Sequence, residues 1–181
     1  IVTNDDSLAE KTRKFKDLYH SDKRFIHEKL GYNYRMDEMS AALGLSQLKK
    51  LKLMIRKRQQ IAQYYAKYFS KYSDIIQTPQ IAKDNTHTWF VYVIKIIKSG
   101  VRRDEVIRSL AKRGVSTKPY LPSIHLFNYY RKTSGYKKGD FPVSEDMSNK
   151  CLALPFYIGL TKKDIKYITN HLLDIILKNY A

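Results

Sequence analysis

The sequence has 181 residues and 43% of them are hydrophobic, a composition that excludes a disordered chain and allows a real core. No apolar run approaches the length that crosses a bilayer, so no membrane is expected as a partner. The single cysteine, Cys151, rules out an internal disulfide and predicts a reducing, cytoplasmic setting.

Positive charge is the unusual feature of the composition, with 34 basic residues against 17 acidic ones and a net charge of +17. Such a field attracts polyanions, including nucleic acid, anionic membranes and phosphorylated small molecules. The basic residues are spread through every segment, with short clusters at 49–52, 56–58 and 162–163. Without a dense basic arm, this distribution favours a biased surface composition over a dedicated polyanion site.

The first part of the chain predicts the end of a strand, then a helix and a turn. Residues 2–3 are typical of a strand end, and the partners of that strand are expected upstream, because one strand cannot form a sheet alone. A helix is predicted from about Ser7, which has the capping-box spacing with Glu10. Gly31 marks a turn after a charged loop.

The next helix is predicted to begin at Asp37, whose carboxylate can cap the free amides of the first turn. Residues at helical spacing predict its buried stripe, which comprises Met36, Met39, Leu43, Gln47 or Leu48, Leu51 and Ile55. The pattern continues to Phe69. Because this is long for a single helix, a break is expected near 53–56.

A strand and a helix dominate the middle of the chain. The clearest strand covers 89–97, which is β-branched, aromatic and nearly continuous. A helix from Asp104 to Gly114 follows, and a further strand is predicted over 115–120.

The last part of the chain predicts a loop at 126–140 and two helices. The first helix covers 144–154 and carries Cys151 as a core residue, and the second begins at the capping pair of Thr161 and Asp164. The alternation of strands and helices predicts a small α/β domain, which the two long helices before it would link to something larger.

Residues 31–48 are the most informative stretch of the sequence. A polar, aromatic, turn-like segment leads into an amphipathic helix that carries Ala41, Ala42 and Gly44. This block closely resembles the sugar aminotransferases of the DegT/DnrJ/EryC1/StrS family. Other segments resemble the same family in the same order, so that the resemblance covers nearly the whole chain; they lie at 2–10, 24–28, 85–92, 114–125, 141–156 and 160–161.

The resemblance implies an α/β fold, namely the carboxyl-terminal part of the aspartate-aminotransferase-like (fold type I) transferase fold, without most of the large-domain sheet. It implies that residues 1–52 end the large cofactor-binding domain, that 53–78 form a linking helix, and that 79–181 form a small α/β domain. It also implies a homodimer with cofactor sites shared across the interface. The chain begins with Ile1 and not with Met, so a piece of a longer protein is expected.

The resemblance further implies a pyridoxal 5′-phosphate enzyme that moves an amino group from an amino acid, expected to be glutamate, to a keto sugar nucleotide. In the family, the lysine that forms the aldimine, the acid at the pyridine nitrogen and the ring stacked on the cofactor lie upstream of the position matching Ile1. No lysine in this sequence has the matching context. The sequence therefore offers no catalytic residue, and the isolated chain is expected to be inactive.

Two candidate site residues lie in the turn-like segment. The resemblance implies that Asn33 donates its side-chain amide to the phosphate of a cofactor held mainly by the neighbouring subunit. The alternative is a turn residue that follows Gly31. Arg35 is a candidate substrate-binding residue that can pair with phosphate or carboxylate, or can form a structural ion pair with Asp37 or Glu38.

Two further candidates, Tyr120 and His125, lie where family members line the substrate side of the cleft. They can contact a sugar or nucleotide, and ordinary loop packing is the alternative. The five histidines show no metal-ligand spacing and Cys151 has no partner, so no metal is expected.

Two other functions stay open on the sequence. A dehydratase relative of the family would have its catalytic lysine replaced, and the deciding residue lies outside this chain. A non-catalytic module would bind nucleic acid through the net charge and the 15 tyrosines. No nucleic-acid motif is found, so nucleic acid is not the expected partner.

Overall fold

The computed structural model describes residues 1–20 and 26–179, and the chain divides into two compact units, Ile1–Leu51 and Lys52–Ala181. The helices are α1 (Asp6–Lys16), α2 (Glu38–Phe69), α3 (Arg103–Lys112), α4 (Asn128–Ser134), α5 (Pro142–Lys150) and α6 (Lys162–Asn179). The strands are β1 (Ile76–Gln77), β2 (Tyr92–Ile96), β3 (Lys118–Pro119) and β4 (Cys151–Leu154), and short 3₁₀ turns occupy Ser70–Tyr72 and Ile124–Leu126. The predicted α/β class is confirmed.

Helix α1 forms where the sequence predicts a helix, but a different residue caps it. The Asp5 side chain accepts a hydrogen bond from the backbone N–H of Leu8 at 3.0 Å, which satisfies a free amide of the first turn. The predicted capping box of Ser7 and Glu10 is therefore wrong. Residues 2–3 are irregular and pair with none of the described residues. Because the partners of the predicted strand end are expected upstream, that strand end stays a prediction.

Helix α2 begins as predicted, because the backbone N–H of Ser40 donates a hydrogen bond to Asp37 Oδ1 at 2.8 Å. The expected break near 53–56 is wrong, and the helix is continuous over 32 residues. After Gly44 it contains neither glycine nor proline, and it is rich in leucine, lysine, arginine and glutamine, which have good helix propensity. Nothing in this part of the sequence interrupts the backbone hydrogen bonds of the helix.

Only the second half of α2 belongs to the hydrophobic core. Its buried residues are Ile61, Ala62, Tyr65 and Phe69. The predicted stripe is wrong for the first half, since these apolar side chains are exposed: 72% of Met36, 83% of Met39, 62% of Leu43, 63% of Leu48 and 44% of Leu51. No described residue covers this segment enough to bury it.

The four strands form one antiparallel sheet in the order β1-β2-β4-β3. The central strands pair Tyr92 with Leu154 and Ile94 with Leu152, and all four side chains are buried. Because residues two apart on a strand share a face, these side chains form one apolar face of the sheet. Apolar residues of α2, α3 and α6 join them in a single core.

The predicted strands are shorter than their sequence patterns. Strand β2 begins at Tyr92 and not at residue 89, because Trp89 has a φ of 54°, in the left-handed region that interrupts extended backbone. The Trp89 ring packs on Tyr92 instead, with ring centroids 5.6 Å apart. The strand predicted over 115–120 is reduced to Lys118–Pro119, which pair with β4.

The helix predicted over 144–154 ends at Lys150, so the prediction is wrong for its last four residues. These residues form β4 because they pair with β2 on one side and with β3 on the other. Cys151 is buried as predicted, but it lies on a strand and not on a helix. Pairing between distant segments has overridden the local helical pattern.

Helix α6 begins at Lys162, directly after Thr161 of the predicted capping pair, and Asp164 lies in its first turn. The backbone N–H of Asp164 donates to Thr161 Oγ1 at 3.2 Å, and the N–H of Thr161 donates to Asp164 Oδ2 at 2.9 Å. This reciprocal arrangement is a capping box. The segment at 126–140, predicted as a loop, contains the short helix α4, which ends at Gly135 with a φ of 71°.

The Tyr65 hydroxyl fixes α2 to the turn after β4, because it donates a hydrogen bond to the Pro155 carbonyl at 2.8 Å from a fully buried side chain. We expect Tyr65→Phe to lower the free energy of unfolding by about 1 kcal/mol, since the carbonyl loses its donor. Denaturant unfolding measures the change. Tyr68→Phe is the control, because its hydroxyl has no hydrogen bond to any described residue. Equal losses in both variants would contradict the assignment.

Candidate functional site

The turn-like segment 31–35 is held against the carboxyl end of α1 by backbone hydrogen bonds. The N–H of Tyr32 donates to the carbonyl of Phe15 at 2.8 Å, and the N–H of Tyr34 donates to the carbonyl of Lys16 at 2.8 Å. Carbonyls in the last turn of a helix have no helical partner. The end of α1 thus supplies acceptors that fix the path of this segment.

Asn33 and Gly31 lie on this fixed backbone. The backbone of Asn33 pairs with that of Asp17 in an isolated antiparallel bridge. A Cβ atom at Gly31 would lie 2.5 Å from the carbonyl carbon of Leu18 and 2.5 Å from the backbone nitrogen of Tyr19. Such contacts are far shorter than a side chain tolerates, so the close approach of the two backbones requires glycine.

The side chains of Asn33 and Arg35 form one exposed polar pair. Arg35 Nε donates a hydrogen bond to Asn33 Oδ1 at 3.1 Å and lies 3.3 Å from Asp17 Oδ1. This ion pair differs from the predicted alternative, in which Arg35 pairs with Asp37 or Glu38. The Asp37 carboxylate is used to cap α2 instead, and its hydrogen bonds with a serine of that turn hold its pKa below the ordinary value.

The donors that remain free in this arrangement fit a phosphate group. Within the ranges that the structure describes, the amide nitrogen of Asn33 and the terminal nitrogens of Arg35 have no hydrogen-bond partner. Phosphate oxygens are strong acceptors, and an amide beside a guanidinium supplies several N–H donors. Tyr32 and Tyr34, the sequence neighbours of Asn33, stack with ring centroids 5.0 Å apart. The segment can therefore bind a phosphorylated ligand.

Tyr120 and His125 line a second feature, an open groove of about 470 Å³ in the unit formed by residues 52–181. Pro122, Phe141 and Ser144 also line it. The structure thus brings Tyr120 and His125 together in one unit, and brings Asn33 and Arg35 together in the other unit.

The imidazole of His125 is fixed in place. It is buried, and its Nε2 lies 3.0 Å from Glu145 Oε1, which also accepts a hydrogen bond from the Gly139 N–H at 2.7 Å. The hydrogen bond from Gly139, and then the one from His125, hold the pKa of Glu145 below its ordinary value. The His125 ring packs on Phe141, with ring centroids 4.8 Å apart. The edge of the groove is therefore rigid at this histidine.

Two residues of these arrangements, Asp17 and Glu145, were not predicted from the sequence. Asp17 directly follows α1, and nothing in the local sequence distinguishes it from the other acidic residues. Glu145 lies in the first turn of α5, where an acidic residue is favoured by the helix dipole whether or not it has a partner. The partners Arg35 and His125 are each about twenty positions away, so only the fold reveals these pairs.

The described residues hold no group of three or more side chains that could ligate a metal ion. His20 and His27 stack with ring centroids 4.5 Å apart, but no third ligand joins them within the described ranges. None of the helices formed by those residues combines the length and apolarity that a bilayer crossing requires.

Comparison with known proteins gives matches over almost the whole chain. The model of the DegT/DnrJ/EryC1/StrS aminotransferase family matches residues 1–173. The spore coat polysaccharide biosynthesis protein SpsC of Bacillus subtilis is 32% identical, over 97% of this chain and 49% of SpsC. GDP-perosamine synthase of Caulobacter vibrioides is 26% identical, over 98% of this chain and 47% of the synthase. The chain spans about half the length of the curated relatives it matches.

The solved structures agree with these matches. PseC of Helicobacter pylori, an aminotransferase involved in the biosynthesis of pseudoaminic acid, matches with a TM-score of 0.84 and 26% identity, over 95% of this chain and 47% of PseC. The superposition confirms the predicted aminotransferase fold. The coverage is consistent with the predicted correspondence to the carboxyl-terminal portion of such a protein.

Glu145→Gln tests whether the Glu145 carboxylate holds His125 in place. The carboxylate stabilises the fold above the ordinary glutamate pKa of about 4.3, and this stability is lost as the pH falls through the lower pKa of the folded state. We expect a lower thermal midpoint for the variant than for the wild type at neutral pH, and a difference that shrinks in acid. Calorimetric scans across this range measure it. Glu38→Gln, at an exposed glutamate, is the control. A difference in thermal midpoint that does not depend on pH would contradict this role of the carboxylate.

Proposed function

Because the chain belongs to the DegT/DnrJ/EryC1/StrS aminotransferase family, we propose that it is part of an enzyme that transfers an amino group from an amino acid, glutamate, to a keto sugar nucleotide. The names of the perosamine synthase and of PseC support a sugar substrate. A cytoplasmic setting, suggested by the lone buried cysteine, belongs to the same proposal. So do the domain boundaries, with residues 1–52 in the large domain, 53–78 in a linking helix and 79–181 in the small domain.

The observation that carries the proposal is the pair of free donors at Asn33 and Arg35. Bound pyridoxal 5′-phosphate supplies the electron sink for amino transfer, and the protein must hold its phosphate. In the proposal, the Asn33 amide donates to that phosphate, and Arg35 binds an anionic group of the substrate. Gly31 and the end of α1 preorganise both side chains, so little conformational freedom is lost on binding.

The other predicted substrate residues are Tyr120 and His125, which line the groove in the second unit. A phenol and an imidazole on one wall suit the hydroxyl groups of a sugar or the ring of a nucleotide. The proposal assigns no catalytic lysine to this chain, since the family's lysine lies upstream of the matching position. The 181-residue chain alone is therefore proposed to be inactive, and its full-length parent to be the active enzyme.

The first half of α2 supports a homodimer as the working form. Residues 39–48 carry no charged side chain, although 28% of the chain is charged. Met39 and Leu48 point to opposite sides of the helix, because nine residues advance it by two and a half turns. Both side chains are more than half exposed. A helix with apolar side chains on opposite sides is normally covered on both of them. We propose that the upstream half of the protein covers one side and that a second subunit covers the other.

The parent enzyme tests the function through Asn33→Asp. The full-length protein with glutamate and a keto sugar nucleotide should yield 2-oxoglutarate and an amino sugar, as measured by mass spectrometry. Asn33→Asp places a carboxylate against the phosphate. It should raise the dissociation constant for pyridoxal 5′-phosphate by about tenfold or more, as expected for loss of a hydrogen bond and addition of like charge.

Asn128→Asp, at an exposed asparagine in α4, makes the same change in net charge and should leave cofactor affinity unchanged. An equal loss of cofactor affinity in both variants would contradict the role of Asn33. Formation of a dehydrated sugar without 2-oxoglutarate would identify the dehydratase alternative instead.

The dimer is tested by Met39→Glu and Leu48→Glu in the full-length protein. Introducing a charge on the side that meets the second subunit should give a folded monomer, while a charge on the other side should lower the thermal midpoint. Sedimentation velocity and thermal unfolding separate the two effects. Ile158→Glu, at an exposed apolar residue outside α2, is the control. Dimers of unchanged stability in both α2 variants would refute the proposal.

A further inference from the structure

A groove of about 410 Å³ is lined by residues at the end of α2, the 3₁₀ turn that follows it and α6, within the second unit. We call it the lysine–tyrosine groove. It is lined by Tyr64, Lys67, Tyr68, Lys71, Tyr72, Lys162, Thr169, Asn170 and Leu173. None of the predicted site residues lies on α2 or α6, so the proposed function does not account for this groove.

The cationic wall of the groove comes from two separate parts of the chain. Lys67 lies in the last turn of α2, Lys71 lies in the 3₁₀ turn that follows it, and Lys162 begins α6. None of the three forms an ion pair with a residue that the structure describes, and no acidic residue lines the groove. Three like charges around one groove repel each other, and a bound anion relieves that repulsion.

The aromatic wall consists of Tyr64, Tyr68 and Tyr72, which recur every four residues and are each half-buried against the core. The ammonium group of Lys162 lies 4.9 Å from the centroid of the Tyr64 ring, a cation–π contact at one end of the row. Tyr68 stands next to Lys67 and Lys71. An aromatic ring beside unpaired ammonium groups suits a ligand that carries both a flat ring and phosphates.

We propose that the lysine–tyrosine groove binds a nucleoside diphosphate, with the phosphates on Lys67, Lys71 and Lys162 and the base stacked on Tyr68. The volume of the groove lies in the range of small-molecule pockets, about 300–1,000 Å³. Asn170 at the rim adds amide donors and an acceptor for the sugar or the base. Inorganic phosphates alone would leave the tyrosine row unused.

Binding of ADP to the 181-residue chain tests the proposal by isothermal titration calorimetry. Saturable binding of one ADP is expected, with weaker binding of pyrophosphate and of adenosine. The triple variant Lys67→Gln, Lys71→Gln, Lys162→Gln should lose at least about tenfold in affinity, because each lysine contributes a modest phosphate contact. Tyr68→Leu should weaken ADP and leave pyrophosphate unchanged.

The matched control is the triple variant Lys83→Gln, Lys112→Gln, Lys132→Gln, which removes the same charge from exposed lysines outside the groove. It should bind ADP like the wild type. Equal weakening of both triple variants would show a general effect of the net charge and would overturn the proposal. Equal affinity for pyrophosphate and ADP would overturn the nucleotide assignment, as would the absence of saturable ADP binding.

A measurement on the wild type tests the site without relying on variants that could misfold. Lysine acetylation followed by mass spectrometry should show that ADP protects Lys67, Lys71 and Lys162 and leaves Lys83 and Lys112 reactive. Uniform protection would contradict the site. Asn33 and Arg35 are untouched in every variant, so failure of this proposal and failure of the proposed function are separate results.

Discussion

The close approach of Gly31 to the backbone of Leu18 and Tyr19 is the constraint on which the candidate phosphate site depends. Any side chain at this position would collide with main-chain atoms of Leu18 and Tyr19, and the segment would then leave the end of α1. With glycine in place, carbonyls that would otherwise need water bind the N–H groups of the site segment. Asn33 and Arg35 are thus positioned by backbone geometry, and both remain exposed to a ligand.

Helix α2 combines three environments along one continuous backbone. Its first half carries exposed apolar side chains, its second half contributes four buried side chains to the core, and lysines and tyrosines line a groove at its end. The apolar spacing is similar in both halves, so periodicity alone predicts a buried stripe throughout. What differs is the presence of covering elements: Tyr65 belongs to the core together with residues of the sheet, α3 and α6, whereas no described residue buries Leu43. The sequence pattern identifies a surface that needs a partner without identifying the partner.

Two predictions that rest on local hydrogen bonding are confirmed, the Asp37 cap and the pair of Thr161 and Asp164. The capping box of Ser7 and Glu10 fails because Asp5 caps α1 instead. Other predictions fail because they depend on distant segments. Residues 151–154 have a local pattern compatible with a helix, and only pairing with β2 and β3 makes them a strand. Likewise, the family resemblance predicts Asn33 and His125 as site residues. Their contacts with Asp17 and Glu145 depend on the fold and are not predicted by the sequence.

Basic residues outnumber acidic ones, and two of the carboxylates each pair with two basic side chains. Asp146 lies 2.7 Å from Lys95 and 2.6 Å from Lys150, and hydrogen bonds with Lys150 and then Lys95 hold its pKa below the ordinary value. Asp174 is shared in the same way between Arg113 and Lys178. Lysines that are spread evenly along the sequence therefore do not give an even electrostatic potential at the surface, because a shared carboxylate neutralises the lysines near it. The lysine–tyrosine groove lacks such a carboxylate, so its positive charge remains available to an anion.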